Sequence, residues 1–146
     1  MDAGPGPSTA IHVNDYVNAT NNTLSWNGWN KAGLDSTDRF TFDVPANHGV
    51  NIDLSHGYDV PDVWMILDVF DSSWNQIGMS AWGSGGQTFN TTTVASPTDS
   101  WMGIGVRNWG SYDTTGTNYT VNVTFYTLDA DGDGWLDQLE LSLIHI

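Results

Sequence analysis

The sequence predicts an all-β protein: an antiparallel β-sandwich followed by a C-terminal calcium loop and a short helix. Three observations carry this. Apolar residues alternate with polar ones at 40/42/44, 50/52/54 and 119/121/123/125, the period of a half-buried strand. Turn-forming residues recur about every 8 to 12 positions, the spacing of a sandwich. No stretch before Trp135 has helical periodicity.

The elements follow in order. Residues 1–8 (MDAGPGPS) are rich in Gly and Pro and read as a linker or domain lead-in. Residues 11–17 and 23–26 carry weak strand signals. Over 39–44, Phe40, Phe42 and Val44 share one face and Arg39, Thr41 and Asp43 the other. A turn at 45–49 leads to Val50, Ile52 and Leu54, which alternate with Asn51, Asp53 and Ser55. Residues 62–71 (DVWMILDVFD) form the most apolar segment, with Val63, Met65, Leu67 and Val69 against Trp64, Ile66, Asp68 and Phe70. A near-continuous apolar run predicts a strand covered on both faces. A turn at 72–75, a strand carrying Ile77, Met79 and Ala81, a glycine turn at 83–86 and a threonine-rich strand at 88–94 follow. Over 101–107, Met102, Ile104 and Val106 point inward. The last strand, 118–127, sends Tyr119, Val121, Val123 and Phe125 to the core.

The segment 129–140 reads DADGDGWLDQLE. Oxygen side chains at relative positions one, three, five, nine and twelve, with glycine at six, have the spacing of an EF-hand-type calcium loop. Asp129, Asp131 and Asp133 each offer a carboxylate oxygen, Trp135 its carbonyl, Asp137 a direct or water-mediated ligand, and Glu140 both of its oxygens. Gly134 permits the reversal that wraps the ion. Five carboxylates in twelve residues repel one another, and a hard dication relieves that repulsion. The competing reading is an acidic linker without an ion. Leu136, Leu139 and Leu143 are spaced for a short helix face. The loop follows a strand, so it is not half of an EF-hand pair that opens a groove.

Composition narrows the function. The chain has 146 residues, a formal net charge of −14 and three cations, Lys31, Arg39 and Arg107. Such a surface repels nucleic acid and anionic lipid. No apolar run is long enough to span a bilayer, so no membrane insertion is expected, and residues 1–8 do not read as an export leader. There is no cysteine, which excludes disulfides, a thiol nucleophile and thiolate zinc sites. N-x-Thr sequons at Asn18, Asn21, Asn90, Asn118 and Asn122 fit an exported protein; chance in an Asn/Thr-rich chain fits equally.

No catalytic constellation stands out. His12, His48, His56 and His145 lack metal-ligand spacing, and Ser84 lacks a strand-to-helix elbow. Asp35 and Asp38 read as caps of a turn, an acid–base pair or a second calcium site. Of eight tryptophans, Trp26, Trp29, Trp74, Trp82, Trp101 and Trp109 fall in or beside turns or on polar faces. Exposed indoles there can stack on sugar rings; they can equally fill the ends of a sandwich.

Several stretches resemble the pre-peptidase C-terminal domain of secreted bacterial and archaeal proteins: Asp2-Ala3-Gly4, the segment 33–42 (GLDSTDRFTF), the turn 44–49, residues 62–71 before a turn, Gly116 and the closing 119–123 strand. The resemblance covers residues 2–127. The tryptophan-rich run 74–82 departs from the pattern. The resemblance implies a jelly-roll-like sandwich, typically a non-catalytic appendage of exported hydrolases or surface proteins. Residues 129–140 are similar to thrombospondin type 3 and EF-hand loops. The ending LSLIHI resembles a translated sequencing adaptor. The expected organisation is therefore a sandwich over 1–128, a calcium loop over 129–140 and a tail over 141–146, which reads either as such an adaptor product or as an ordinary amphipathic tail. The expected protein is not an enzyme but a calcium-binding module of a secreted or cell-surface protein. Its expected partners are Ca2+ and the neighbouring domains of a longer chain; the alternative is a carbohydrate-binding or adhesive module whose partners are glycans.

Overall fold

The computed structural model describes residues 4, 6–31, 37–56, 65–81, 86–91, 98–108 and 116–127. Among the described residues, nine strands form two sheets: β1 (Ile11–His12), β2 (Thr23–Asn30), β3 (Thr37–Val44), β4 (His48–His56), β5 (Met65–Phe70), β6 (Gln76–Ala81), β7 (Gly86–Thr91), β8 (Ser100–Asn108) and β9 (Thr117–Thr127). One sheet has the order β1-β3-β8-β5-β6 and the other β2-β9-β4-β7. All pairings are antiparallel except β1 with β3. Successive strands alternate between the two sheets everywhere except from β5 to β6, so each sheet is assembled from distant segments. This is the all-β sandwich that the alternation predicts.

The alternation sets the layers. Phe40, Phe42 and Val44 of β3, Met65, Leu67 and Val69 of β5, and Met102, Ile104 and Val106 of β8 meet Leu24 of β2, Val50, Ile52 and Leu54 of β4, and Tyr119, Val121, Val123 and Phe125 of β9 in one core. Aromatic edges lock it: Trp26 meets Phe40 at 5.3 Å and 61°, and Phe42 meets Phe125 at 6.2 Å and 64°, edge-to-face contacts that add to the area buried. Trp26 itself, expected on a polar or turn position, is 4 % exposed and part of this core. Leu24, Trp26, Gly28 and Asn30 face inward along β2, so a glycine and an asparagine interrupt the apolar period that would have revealed it.

One end of the interior is polar. Asp38, Asn30, Asn108, Thr117 and His56 are buried there beside Tyr119. The Tyr119 hydroxyl donates to Asp38 Oδ2, and Asn30 Nδ2 donates to the Val106 carbonyl at 3.1 Å. A buried carboxylate needs such donors. Asp38 is thus an inward residue of β3, on the face of Phe40 and Phe42, and not a turn cap. Asp35 lies outside the described residues.

Gly116 precedes β9 at φ +85°, and a Cβ there would collide with the Trp29 indole. No side chain fits that backbone and that space together. No helix among the described residues is long and apolar enough to cross a membrane.

Candidate functional site

The expected metal ligands Asp129, Asp131, Asp133, Trp135, Asp137 and Glu140 lie outside the described residues, as do Trp64, Trp82 and Trp109. What the structure places is the strand that delivers them. β9 is an interior strand between β2 and β4 and ends at Thr127, two residues before Asp129. Among the described residues, no group of three or more His, Asp or Glu is arranged to hold a metal ion.

The described residues do assemble a polar-aromatic patch on the outer face of the five-stranded sheet. Registers put Arg39, Gly105, Asp68 and Met79 in one row across β3, β8, β5 and β6, and Thr41, Gly103, Phe70 and Gln76 in the next. Asp68 is 5 % exposed and accepts from Arg107 Nε at 2.6 Å, Arg107 Nη2 at 3.1 Å and Gln76 Nε2 at 3.0 Å. The bidentate fork fixes Arg107 across the sheet. The Arg39 guanidinium lies 4.5 Å from the Phe70 ring centroid and 5.4 Å from that of Trp74, within cation–π range. Two of the chain's three cations therefore share one sheet face.

Trp74 reaches this face from the turn between β5 and β6. The Asp71 carboxylate accepts from the backbone amides of Asn75 and Ser73, both at 2.9 Å. These bonds, the Asn75 amide first, hold its pKa below the ordinary aspartate value. The turn holds Trp74 at φ 62°, a left-handed conformation rare for a bulky residue. The indole then lies over Gly103: a Cβ there would sit 2.7 Å from Trp74 Cζ3. Phe70 and Trp101 flank it at 5.4 and 5.6 Å. Glycine in an interior strand marks such a close approach.

Beyond Trp101 an open cleft of about 440 Å³ is lined by Asp43, Val44, Pro45, Asp99, Ser100 and Trp101. Asp99 Oδ1 accepts from the Ala46 amide at 2.9 Å. Asp43 Oδ1 lies 3.0 Å from His12 Nε2, and His12 Nδ1 lies 2.8 Å from Thr41 Oγ1. The Thr41–His12–Asp43 sequence has the connectivity of a nucleophile relay, which the sequence did not suggest. Here His12 and Thr41 are register partners of the short β1–β3 ladder, and Asn14 Oδ1 takes the Asp43 amide at 2.8 Å. The chain of bonds ties β1 to its sheet.

The opposite outer face is different in kind. Ser25, Asn27, Asn51, Asp53, Ser55, Asn118, Thr120, Asn122 and Thr124 cover it. A second open depression of about 530 Å³ there is lined by Asn27, Ser55, His56, Asn118, Tyr119 and Thr120. Trp29, 41 % exposed, stands at its margin beside Asn118. The sequon at Asn118 is exposed and that at Asn122 half-buried.

No family model matches the chain, and no curated protein gives a significant match. Similar solved structures include the pre-peptidase C-terminal domain of a collagenase from Bacillus anthracis, at 20 % identity over 68 % of this chain and 87 % of that one, TM-score 0.49. Another is PliG, a periplasmic inhibitor of g-type lysozyme from Aeromonas hydrophila, at 14 % identity over 86 % of this chain and 100 % of that one, TM-score 0.46. A third is a carbohydrate-binding module, CBM36, solved with calcium and xylotriose, at 16 % identity over 86 % of this chain and 89 % of that one, TM-score 0.32. At such distances the likeness says nothing about ligand or activity.

Proposed function

We propose that this chain is a non-catalytic β-sandwich module of a secreted or cell-surface protein, with a C-terminal loop that binds calcium. One observation carries the reading. A complete twelve-residue ligand pattern, Asp129 to Glu140, begins two residues after the last residue of β9. A loop leaving a strand held on both sides has one end already fixed. Cation binding then orders the other end and sets the direction in which a neighbouring domain leaves. Extracellular loops of this type bind with dissociation constants on the order of 0.1 to 1 mM. Titration calorimetry of the full chain tests the reading: calcium gives a saturable heat that disappears in Asp131→Ala plus Asp133→Ala. No heat in the parent chain, or equal heat in both, removes calcium from the account.

A second reading, a carbohydrate-binding module, has its own support: Trp101 and Trp74 stand together beside an open, polar-rimmed cleft. An indole offers a flat apolar face to the C–H side of a sugar ring. Screening the chain against immobilised glycans tests this, and the absence of any retained glycan retires it.

A further inference from the structure

Resting on that second reading, we propose that the cleft beside Trp101 is the sugar subsite and that its ligand is a neutral pyranose. Three features that each cost stability coincide there. Trp74 is held at φ 62°, Gly103 forgoes a side chain in an interior strand to receive the indole, and large aromatics are kept on the outside of a sheet. Strain and glycine in regular structure persist where something else requires them. Together they set Trp74 5.6 Å from Trp101 with the rings inclined at 59°. Trp74 therefore buttresses Trp101 and is no second coplanar platform; it is a positioning residue, and Trp101 is the stacking face.

The rim fits hydroxyl groups. Asp43 and Asp99 line the cleft with Ser100, and carboxylates accept from sugar hydroxyls. Each already has one donor, His12 for Asp43 and the Ala46 amide for Asp99, so each is oriented before a ligand arrives. The cleft volume of about 440 Å³ falls in the range of small-molecule sites. Charge sets the class. A uronate or sulfated sugar would meet Asp43, Asp99 and a net charge of −14. A cationic ligand would have to compete with the donors these carboxylates already hold, His12 on Asp43 and the Ala46 amide on Asp99. A neutral ring with hydroxyls is compatible with both. Two rings inclined at 59° cannot both lie flat on a ribbon-like chain, so Trp101 takes one sugar, at a chain end or on a curved chain.

The test is titration of the full chain with maltohexaose, cellohexaose, xylohexaose, polygalacturonate and hexalysine, read by tryptophan fluorescence and calorimetry. Circular dichroism confirms that each variant is folded. At least one neutral hexasaccharide is expected to bind, with affinity at least about tenfold weaker in Trp101→Ala and several-fold weaker in Asp99→Asn, unchanged in Trp29→Ala and insensitive to salt. Asp99→Asn keeps the oxygen that the Ala46 amide uses, so it reports on the rim even if Trp101→Ala does not fold. Sugar binding lost in Trp29→Ala but retained in Trp101→Ala and Asp99→Asn would overturn the cleft assignment while leaving the glycan reading standing. Binding only of polygalacturonate or hexalysine would overturn the neutral class. Binding of none of the sugars would overturn the glycan reading and this proposal with it.

Discussion

The two outer faces of the sandwich are built on opposite principles. On the four-stranded sheet, hydroxyl and amide side chains alternate with core residues and are exposed or half-buried: Asn27, Asn118 and Thr120 are examples. Each can hydrogen-bond water, so each is replaceable. On the five-stranded sheet, Ile66, Asp68 and Phe70 are also outward residues, yet they are 7, 5 and 7 % exposed. Asp68 and Phe70 are covered by neighbours from three separate segments: Arg107 of β8 on Asp68, Arg39 of β3 on Phe70, and Trp74 of the β5–β6 turn between Phe70 and Trp101. The lesson is that outward direction in a strand does not mean solvent. A second, thin layer has been laid over one sheet, and in it each residue depends on the others.

That contrast predicts unequal costs. The largest should come from Gly103→Val. A branched side chain there displaces the Trp74 indole, and overpacking of this kind costs about 1 to 3 kcal/mol; chemical denaturation reads the loss, and near-ultraviolet circular dichroism should show the tryptophan pair separated. Next is Asp68→Ala, which leaves Arg107 and Gln76 without their shared acceptor. A cost of about 1 to 2 kcal/mol is expected, moderated because Arg107 is 40 % exposed. If Asp68→Ala unfolds at the denaturant concentration of the parent chain, the covering layer is not cooperative.

A pH effect sharpens the contrast further. The backbone amides of Asn75 and Ser73 depress the Asp71 pKa in the folded chain. Its contribution is fully present above the unfolded value of about 3.9 and is lost as the pH falls through the lower folded value. Trp74 should therefore lose its fixed setting in acid, with a circular-dichroism transition below about pH 4 that Asp71→Asn abolishes. The smallest effect belongs to the other face. Thr120→Ala removes a 2.7 Å bond to Asn27 Oδ1 and should change stability by no more than about 0.5 kcal/mol. A change as large as that of Asp68→Ala would erase the distinction between the faces.

The core was legible because its signal is periodic. Phe40/Phe42/Val44 and Tyr119/Val121/Val123/Phe125 needed only alternation, and the structure puts each of them inside. Burial of Trp26 is hard to read from sequence because Ser25, Asn27, Gly28 and Asn30 surround it with polar and small residues. His48, expected in a turn, is the first residue of β4, with Nδ1 2.8 Å from the Ala46 carbonyl. The outer layer could not be assembled from sequence, since Arg39, Phe70, Trp74, Trp101 and Arg107 meet only through strand order β3-β8-β5. One local sign was present: Gly103 and Gly105 fall on the same face of a strand whose other face is Met102, Ile104 and Val106. Paired glycines on one face of an interior strand announce a close approach from outside. The metal loop was legible as a motif alone, since it lies beyond the described residues.

The function proposed for the chain rests on that loop being mechanically continuous with β9. Thermal unfolding of the full chain across a calcium titration addresses this most directly, because an ion that binds only the ordered loop stabilises by RT ln(1 + [Ca]/Kd), about 0.4 to 1.4 kcal/mol at one to ten times Kd. The expected result is a midpoint that rises by about 1 to 5 °C with millimolar calcium and stays fixed in Asp131→Ala plus Asp133→Ala. Superimposable curves for the two chains at every calcium concentration would contradict it.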